Sequence, residues 1–446
     1  MIRRIKQIKK SEFFKNVFTL ISASSVAQVI AILIYPVLSR IYTTSEHGTF
    51  ALYLSIIAIT GIISTGKYEA AIMMPKEESK AINLAVLSII LSSVFSLVLL
   101  TLIIFFKDDF YSWTGERNLG KWIWFIPLST FFIGVIQTLS FLANRARRFK
   151  DIAIADVGQS LGSSIFKVST SKILSGGGGL IAGTIFGQFM GMLLFSLGFF
   201  RRGIKVCKEI SAKEMKKVSS EYSFFPRYNM IHHLTNNFSG NLPIFLITFY
   251  FSQDEVGLYS LAFLMIYRPM SLITVSFTQV FSQRIISDYN QGKKIFTNMK
   301  RMSLKLFQFG LPVFLLAGFF GPVIFSFAFG TQWKPSGKYM QILLPWLFVV
   351  FISSPLSFLP DLLKRQKKAM WLDILKLIIR IPAFGIGVYY NNIYLAVILF
   401  SLTGFLFAGY NLYWYLSLAR LSDIQGNKER VLKVKTEIYR DEIGDF

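Results

Sequence analysis

Three basic side chains of this sequence, Lys167, Arg268 and Arg380, lie inside apolar segments of the kind that span membranes. A cation in such a segment costs at least about 2.5–3.5 kcal/mol, so these residues are candidates for a functional site. The planar guanidinium group of an arginine can bind two phosphate oxygens at once. The pattern predicts a positively charged cavity that binds an anionic substrate, with Lys376 and Arg40 as further candidate cations.

Three of these cations also have a structural interpretation. Arg268 precedes Pro269 and could pair with a carboxylate or with a carbonyl that the proline leaves free. Lys376 lies three residues after Asp373, a spacing at which opposite charges pair along one helix face. Arg40 ends the first apolar segment, where a long side chain can extend to the membrane surface.

Several carboxylates and amides in or near the apolar segments are further candidate site residues. Asp156, Asp373 and Glu69 are candidates for coupling transport to an ion, although each lies near a predicted cytoplasmic interface, where a solvated ion pair is the alternative. The seventh apolar segment is rich in polar residues that could line a polar path through the membrane. Its alternative role is hydrogen bonding between helices. The lining candidates are Asn229, His233, Asn236 and Asn237.

The composition places these residues in a membrane protein. Of the 446 residues, 53% are hydrophobic and 16% are charged, against about 25% charged in ordinary soluble domains. A soluble enzyme, a disulfide scaffold and a disordered chain are excluded. The single cysteine, Cys207, excludes an intrachain disulfide and a cysteine-based metal cluster.

The apolar runs predict twelve membrane spans with both termini in the cytoplasm. The net charge of +24 would suggest nucleic-acid binding in a soluble protein, but here Lys and Arg concentrate in the loops on one side. That asymmetry predicts orientation in the membrane, and no nucleic-acid partner. The predicted spans are 16–38, 48–65, 82–106, 122–143, 152–174, 179–200, 228–251, 257–282, 304–329, 339–360, 369–389 and 393–418.

An internal repeat divides the spans into two sets of six. Residues 45–52 resemble residues 254–261, and residues 139–142 resemble residues 356–359. Because six is even, the repeat is parallel and predicts two lobes around a central cavity with alternating access. The predicted fold is an all-α polytopic membrane protein of two six-helix lobes related by a pseudo-two-fold axis. The predicted domains are a lobe over 1–200, a cytoplasmic linker over 201–227, a lobe over 228–418 and a cytoplasmic tail over 419–446.

Several motifs together resemble one transporter family. They are Val37-Leu38-Ser39-Arg40-Ile41-Tyr42, Tyr68-Glu69-Ala70-Ala71-Ile72-Met73-Met74-Pro75-Lys76, Ala143-Asn144-Arg145, Phe225-Pro226-Arg227-Tyr228-Asn229 and Glu255-Val256-Gly257-Leu258-Tyr259. In order and spacing they are similar to the Wzx-type oligosaccharide flippases of the multidrug/oligosaccharidyl-lipid/polysaccharide exporter superfamily.

This resemblance implies a MATE-like fold and a defined cargo. The implied substrate is an oligosaccharide on undecaprenyl pyrophosphate, moved to the outer leaflet of a bacterial plasma membrane for O-antigen, capsule or exopolysaccharide synthesis. We expect membrane lipids and a polysaccharide polymerase as further partners.

The driving force and two rival functions complete the prediction. Gly176–Gly179 lacks the Lys-Ser/Thr of a phosphate-binding loop, so we expect no nucleotide cofactor and a proton or sodium gradient instead. A MATE-type drug antiporter would need a carboxylate-rich cavity for cationic drugs. A membrane glycosyltransferase would need large outer loops, and the longest outer loop here is about 107–121. No nucleophile or acid/base arrangement argues for an enzyme.

Overall fold

The computed structural model describes residues 26–113, 119–200 and 210–443, which are helical with short turns and contain no strand. The first part of the predicted span 16–38 and Cys207 lie outside these residues. The helices are α1 (Tyr35–Ile41), α2 (Thr44–Ser64), α3 (Tyr68–Ala71), α4 (Glu78–Trp113), α5 (Ile126–Arg145), α6 (Phe149–Ser169), α7 (Gly178–Phe200), α8 (Ala212–Glu221), α9 (Met230–Tyr250), α10 (Gln253–Asn290), α11 (Phe296–Phe329), α12 (Lys334–Ser353), α13 (Leu359–Leu362), α14 (Gln366–Tyr389) and α15 (Ile393–Ile443).

The all-α membrane fold predicted from composition is confirmed. Eight helices of the described chain are long and apolar enough to cross a membrane, and a shorter apolar helix covers Val26–Ile41. The predicted segments outside this set of eight are 16–38, 152–174, 228–251 and 369–389. Three of these segments form α6, α9 and α14, which carry many of the candidate polar residues. The exact count of twelve spans therefore stays a prediction.

Helix α2 begins at a defined cap. The Thr43 side chain accepts a hydrogen bond from the backbone N–H of Glu46, and the Glu46 carboxylate accepts one from the backbone N–H of Thr43 at 2.9 Å. This reciprocal arrangement satisfies two of the N–H groups that a helix start leaves free. The predicted span began at residue 48, four residues late, because the cap and first turn are polar.

Interior prolines occur in α9, α10, α11, α12 and α14. They are Pro243, Pro269, Pro312, Pro322, Pro345 and Pro382. Each one removes a backbone hydrogen bond and bends or weakens its helix. Helices α2, α4, α6 and α7 have no proline in their sequence.

The chain forms two compact units, the first comprising Met1–Leu264 and Phe325–Ser336. In this unit α2 is held to α5 by hydroxyl pairs, Tyr53 with Ser129 and Thr60 with Thr130, each at 2.7 Å. Hydrogen bonds of this type let apolar helices associate where the hydrophobic effect between them is weak.

The two repeat segments meet inside this first unit. A Cβ atom at Gly48 would overlap the carbonyl oxygen of Gln253, and one at Gly257 would overlap the carbonyl oxygen of Thr44. The Thr44 hydroxyl also hydrogen-bonds the Asp254 carboxylate. Glycine at both positions therefore allows the starts of α2 and α10 to touch backbone to backbone.

The linker helix α8 docks on the first unit at the end opposite the start of α2. Val218 is fully buried, the Tyr68 hydroxyl donates to the Ser219 carbonyl at 3.0 Å, and Lys80 lies 3.3 Å from Glu221. Burial, together with the nearby Glu221 carboxylate, raises the pKa of Tyr222 at the end of this helix.

The second unit comprises Met265–Ile324 and Gly337–Phe446. Its helices α14 and α15 pack closely where Gly387 meets the backbone of Ala396. The Asp423 carboxylate accepts hydrogen bonds from the backbone N–H groups of Ile295 at 2.8 Å and Phe296 at 3.1 Å, which caps α11. The predicted lobes, 1–200 and 228–418, stay a prediction.

Candidate functional site

One face of α9 presents polar side chains to the surroundings. His233 and Asn236 are exposed and Asn229 is half-buried, and their spacing of four and three residues places them on the same side of the helix. Polar groups are costly against hydrocarbon, and the expectation that this face lines a substrate path stays a prediction. The short π-helical turn Phe225–Asn229 precedes it, and such turns occur frequently at functional sites.

The fourth predicted lining residue has a different role. The Asn237 side chain donates to the His233 backbone carbonyl at 3.4 Å, and the Asn237 backbone carbonyl accepts from the Asn241 side chain at 2.9 Å. Asn241 in turn accepts a hydrogen bond from the Ser55 hydroxyl at 2.9 Å, which joins α9 to α2. The hydrogen bonding between helices that the sequence left open for this segment is therefore present, through Asn241, which lies one turn after Asn237 on α9.

Helix α6, which carries Lys167, packs against glycines of α7. A Cβ at Gly183 would lie 2.8 Å from the Lys167 backbone nitrogen, and one at Gly187 would lie 2.6 Å from the Ser163 Cβ. The signal for this contact is a run of glycines at four-residue intervals in α7, at residues 179, 183, 187 and 191, which the sequence analysis did not use.

Lys167 lies in the last turn of α6, two residues before its end, rather than in the middle of a span. Its ammonium group is 4.8 Å from the centre of the Phe50 ring, and its carbonyl accepts from the Tyr42 hydroxyl at 2.6 Å. Asp156 is half-buried two turns along the same helix from its start.

Glu69 is a buried carboxylate with a single cationic neighbour in the described chain. Its side chain is 0% exposed, and its Oε1 atom lies 3.2 Å from the Lys67 ammonium group. Lys67 has a left-handed backbone with φ 62°. Non-glycine residues in this region are strained and often occur at functional positions.

In the second unit, Arg380 is enclosed by aromatic rings. Only 3% of the residue is exposed, and its guanidinium carbon lies 4.1 Å from the centre of the Phe400 ring and 4.7 Å from that of Trp346. On the same helix, Lys376 donates to Asp373 at 2.7 Å. That pair has the geometry of the intrahelical alternative considered for these two residues.

Arg268 lies half-buried on α10 beside Pro269. Its guanidinium group forms no ion pair with any carboxylate of the described residues. The prediction of a structural carboxylate partner therefore finds no support within that part of the chain. Arg40 in the first unit is exposed, and its guanidinium group donates to the Phe327 carbonyl at 3.4 Å.

His47 is a buried titratable residue that the sequence analysis missed. It is 3% exposed, and the rings of Tyr35, Tyr42 and Trp333 surround it. The available signal was the repeat itself, because the corresponding residue of the second half is the apolar Val256. Across the described residues, no three His, Cys, Asp or Glu side chains are grouped to hold a metal ion.

A family model described as "Polysaccharide biosynthesis protein" matches residues 37–338. No curated protein matches the sequence significantly.

Solved structures share the fold at low sequence identity. A lipid II flippase, MurJ, in an inward closed conformation is 15% identical with a TM-score of 0.64, covering 94% of this chain and 99% of that one. An inward-facing multidrug resistance MATE family transporter of the MOP superfamily is 14% identical with a TM-score of 0.63, covering 92% and 95%. A mutant of the Vibrio cholerae MATE transporter VcmN is 12% identical with a TM-score of 0.62, covering 92% and 97%. The chain therefore has the MATE-like fold.

Proposed function

This chain belongs to the polysaccharide biosynthesis protein family, and from that premise we propose that it is a flippase for lipid-linked oligosaccharides. It moves a glycan unit on undecaprenyl pyrophosphate from the inner to the outer leaflet of a bacterial inner membrane by alternating access. Both termini lie in the cytoplasm, and a proton or sodium gradient drives the exchange. The family match over residues 37–338 carries this proposal.

The shared fold is compatible with this cargo. MurJ is a lipid II flippase, and its structure aligns with 94% of this chain. We propose by analogy that this chain also handles a lipid carrier with a glycan, and that the product feeds a polysaccharide polymerase.

We propose Arg268 as the anchor of the diphosphate. A buried anion needs a paired charge or several hydrogen-bond donors, and an arginine supplies both in a planar arrangement. Arg268 is half-buried in an apolar helix and forms no ion pair with a described carboxylate, so its guanidinium group is available to a ligand. The exposed face of α9, with Asn229, His233 and Asn236, would receive the sugar hydroxyl groups.

The other predicted cations are weaker candidates than Arg268 for binding the diphosphate. Lys376 forms an ion pair with Asp373, and Arg380 is enclosed between two aromatic rings. We propose that Lys167 contributes positive charge to the substrate path, and that Arg380 acts chiefly in packing.

The rival function is a drug antiporter, favoured by the MATE transporters with TM-scores of 0.62 and 0.63. Cationic drugs require accessible carboxylates, whereas Glu69 is fully buried beside Lys67 and Asp373 is paired with Lys376. The charges of the described helices thus favour an anionic substrate.

The test is transport of a defined pyrophosphoryl-undecaprenyl oligosaccharide in reconstituted vesicles, read as accessibility of the glycan to an impermeant glycosidase. We expect Arg268→Ala to slow transport by at least about tenfold, because a hydrogen bond to a charged group contributes about 1.5–3 kcal/mol. Arg268→Lys should recover part of the rate, since it restores the charge without the planar fork.

Arg284→Ala is the matched control, because this arginine is exposed near the end of the same helix. Equal rates for wild type and Arg268→Ala would remove Arg268 as the anchor. Transport of a cationic dye without transport of the lipid-linked glycan would instead establish the antiporter.

A further inference from the structure

The turn Phe325–Ser336, which we call the clasp, is fastened to one residue of α1. The Ser39 carbonyl accepts hydrogen bonds from the Trp333 indole N–H and from the Gln332 amide, each at 2.8 Å. The Ser39 hydroxyl donates to the Phe329 carbonyl at 3.1 Å. Both Ser39 and Trp333 are fully buried, so water does not compete for these bonds.

His47 lies directly under the clasp. Its ring meets the Trp333 ring edge to face, with centres 4.9 Å apart and planes at 86°. The Tyr35 ring lies 6.1 Å away and the Tyr42 ring 6.3 Å away. The Nε2 atom of His47 is buried and has no hydrogen-bond partner in the described chain.

Two charged groups and two phenols face this imidazole. Lys167 on α6 and Glu46 on α2 both act electrostatically on His47, and the phenols are those of Tyr35 and Tyr42. The Glu46 carboxylate is already engaged, since it accepts from the backbone N–H of Thr43 at 2.9 Å and of Gly177 at 3.1 Å. The cage therefore suits a neutral imidazole.

The geometry points to His47 as a proton-binding site whose occupation is coupled to release of the clasp. An imidazolium has two N–H donors, and a second donor buried without an acceptor carries the full desolvation cost of a charged group. Moving Trp333 aside admits water to Nε2 and removes that cost. Protonation and the closed clasp are thus mutually unfavourable, and linkage requires that each shifts the other by the same free energy.

This inference rests on the proposed function in one respect: if the chain is a flippase, a proton-binding site at His47 makes the proton its coupling ion. Its test needs no substrate, so it can fail while flipping is demonstrated, and it can succeed if the cargo is different.

The experiment measures a distance across the clasp in the full chain in lipid nanodiscs. Spin labels are placed at Lys172→Cys and Lys334→Cys, which are exposed positions, in a Cys207→Ser background. At pH 8 we expect one narrow distance distribution, and at pH 5 an additional population at longer distance. His47→Gln, which cannot bind a proton, should show the narrow distribution at both pH values.

His232→Gln is the matched control, a histidine outside the cage, and should keep the response to pH. A second variant makes the test independent of His47 itself: Trp333→Phe keeps an aromatic ring but loses the hydrogen bond to Ser39, and should show the longer distance already at pH 8. An unchanged distance in wild type between pH 8 and pH 5, or a pH response that persists in His47→Gln, would overturn the proposal.

Discussion

At the scale of single residues, the buried charges differ in what they can still bind. The Glu69 carboxylate has the Lys67 ammonium group at 3.2 Å and no exposure, whereas Arg268 keeps partial exposure without a carboxylate partner in the described chain. Removing one member of a buried pair leaves the other charge uncompensated, which costs more than the pair contributes. We therefore expect the Lys67–Glu69 pair to contribute mainly to the stability of the folded protein.

This pair yields a stability prediction. We expect Glu69→Gln to lower the unfolding free energy by on the order of 2 kcal/mol, less than for a fully buried pair because Lys67 is 14% exposed. Thermal unfolding in detergent measures the change. The double variant Lys67→Met/Glu69→Gln should recover part of the loss.

The control for this prediction is Glu214→Gln, which breaks the 3.7 Å contact with the exposed Lys217. Surface pairs contribute only about 0–1 kcal/mol, so its effect should be small. Equal destabilisation by the two variants would show that burial of Glu69 has no special role.

Residue types were predictable from the sequence at this scale, but their partners were not. Inserting a cation into an apolar segment is costly wherever it points, so Lys167, Arg268 and Arg380 could be identified without a structure. Whether such a cation meets an aromatic cage, like that of Arg380, depends on Trp346 and Phe400, which come from two other helices. His47 was missed because a lone histidine in an apolar stretch carries no spacing signal.

At the scale of elements, glycine determines how closely the helices of the first unit approach. The glycines of α7 at four-residue intervals let the backbone of α6 pack against them, with Gln159, Ser163 and Lys167 at the contact. Packing of this kind is a main source of helix association in membranes. Packing against the glycines of α7 therefore explains the positions of these three residues as well as binding of a substrate would.

A single added methyl group tests this contact. In Gly187→Ala the new Cβ would lie 2.6 Å from the Ser163 Cβ and 2.7 Å from the Gln159 carbonyl oxygen. We expect a loss of about 1–3 kcal/mol, typical of overpacking, seen as a lower unfolding temperature in detergent.

Gly409→Ala on α15 is the opposite case, since no atom lies within 4 Å of its added Cβ. Alanine favours a helix over glycine by about 0.5–1 kcal/mol, so this variant should be neutral or stabilising. Equal unfolding temperatures for Gly187→Ala and Gly409→Ala would show that close packing of α6 on α7 does not contribute to stability.

At the scale of the whole molecule, the charge asymmetry predicts a definite orientation. Basic loops remain in the cytoplasm, so we expect helix α8 to lie inside and the turn between α6 and α7 to lie outside. By the same rule we expect the clasp to lie on the outer side.

Cysteine labelling in intact cells checks this orientation. In a Cys207→Ser background, we expect Lys172→Cys to react with a membrane-impermeant maleimide and Lys217→Cys to react only after permeabilisation; both positions are exposed. The reverse pattern would invert the topology and, with it, the proposed direction of transport.

The sequence predicted the overall architecture better than it predicted any single contact. Apolar runs follow directly from the thickness of the bilayer, so eight of the predicted segments coincide with long apolar helices of the described chain, while the count of twelve spans stays a prediction. The boundaries of compact units depend instead on long-range packing: Phe325–Ser336 belongs to the first unit although both of the helices that it joins extend into the second. Repeat boundaries in the sequence do not contain that information.

The distribution of interior prolines has a mechanical consequence. Six of them interrupt α9, α10, α11, α12 and α14, while α2, α4, α6 and α7 contain none. Each proline makes its helix easier to bend at the position of that proline. Helices α9, α10, α11, α12 and α14 can therefore bend at their prolines, whereas α2, α6 and α7 keep an uninterrupted run of residues that can donate backbone hydrogen bonds.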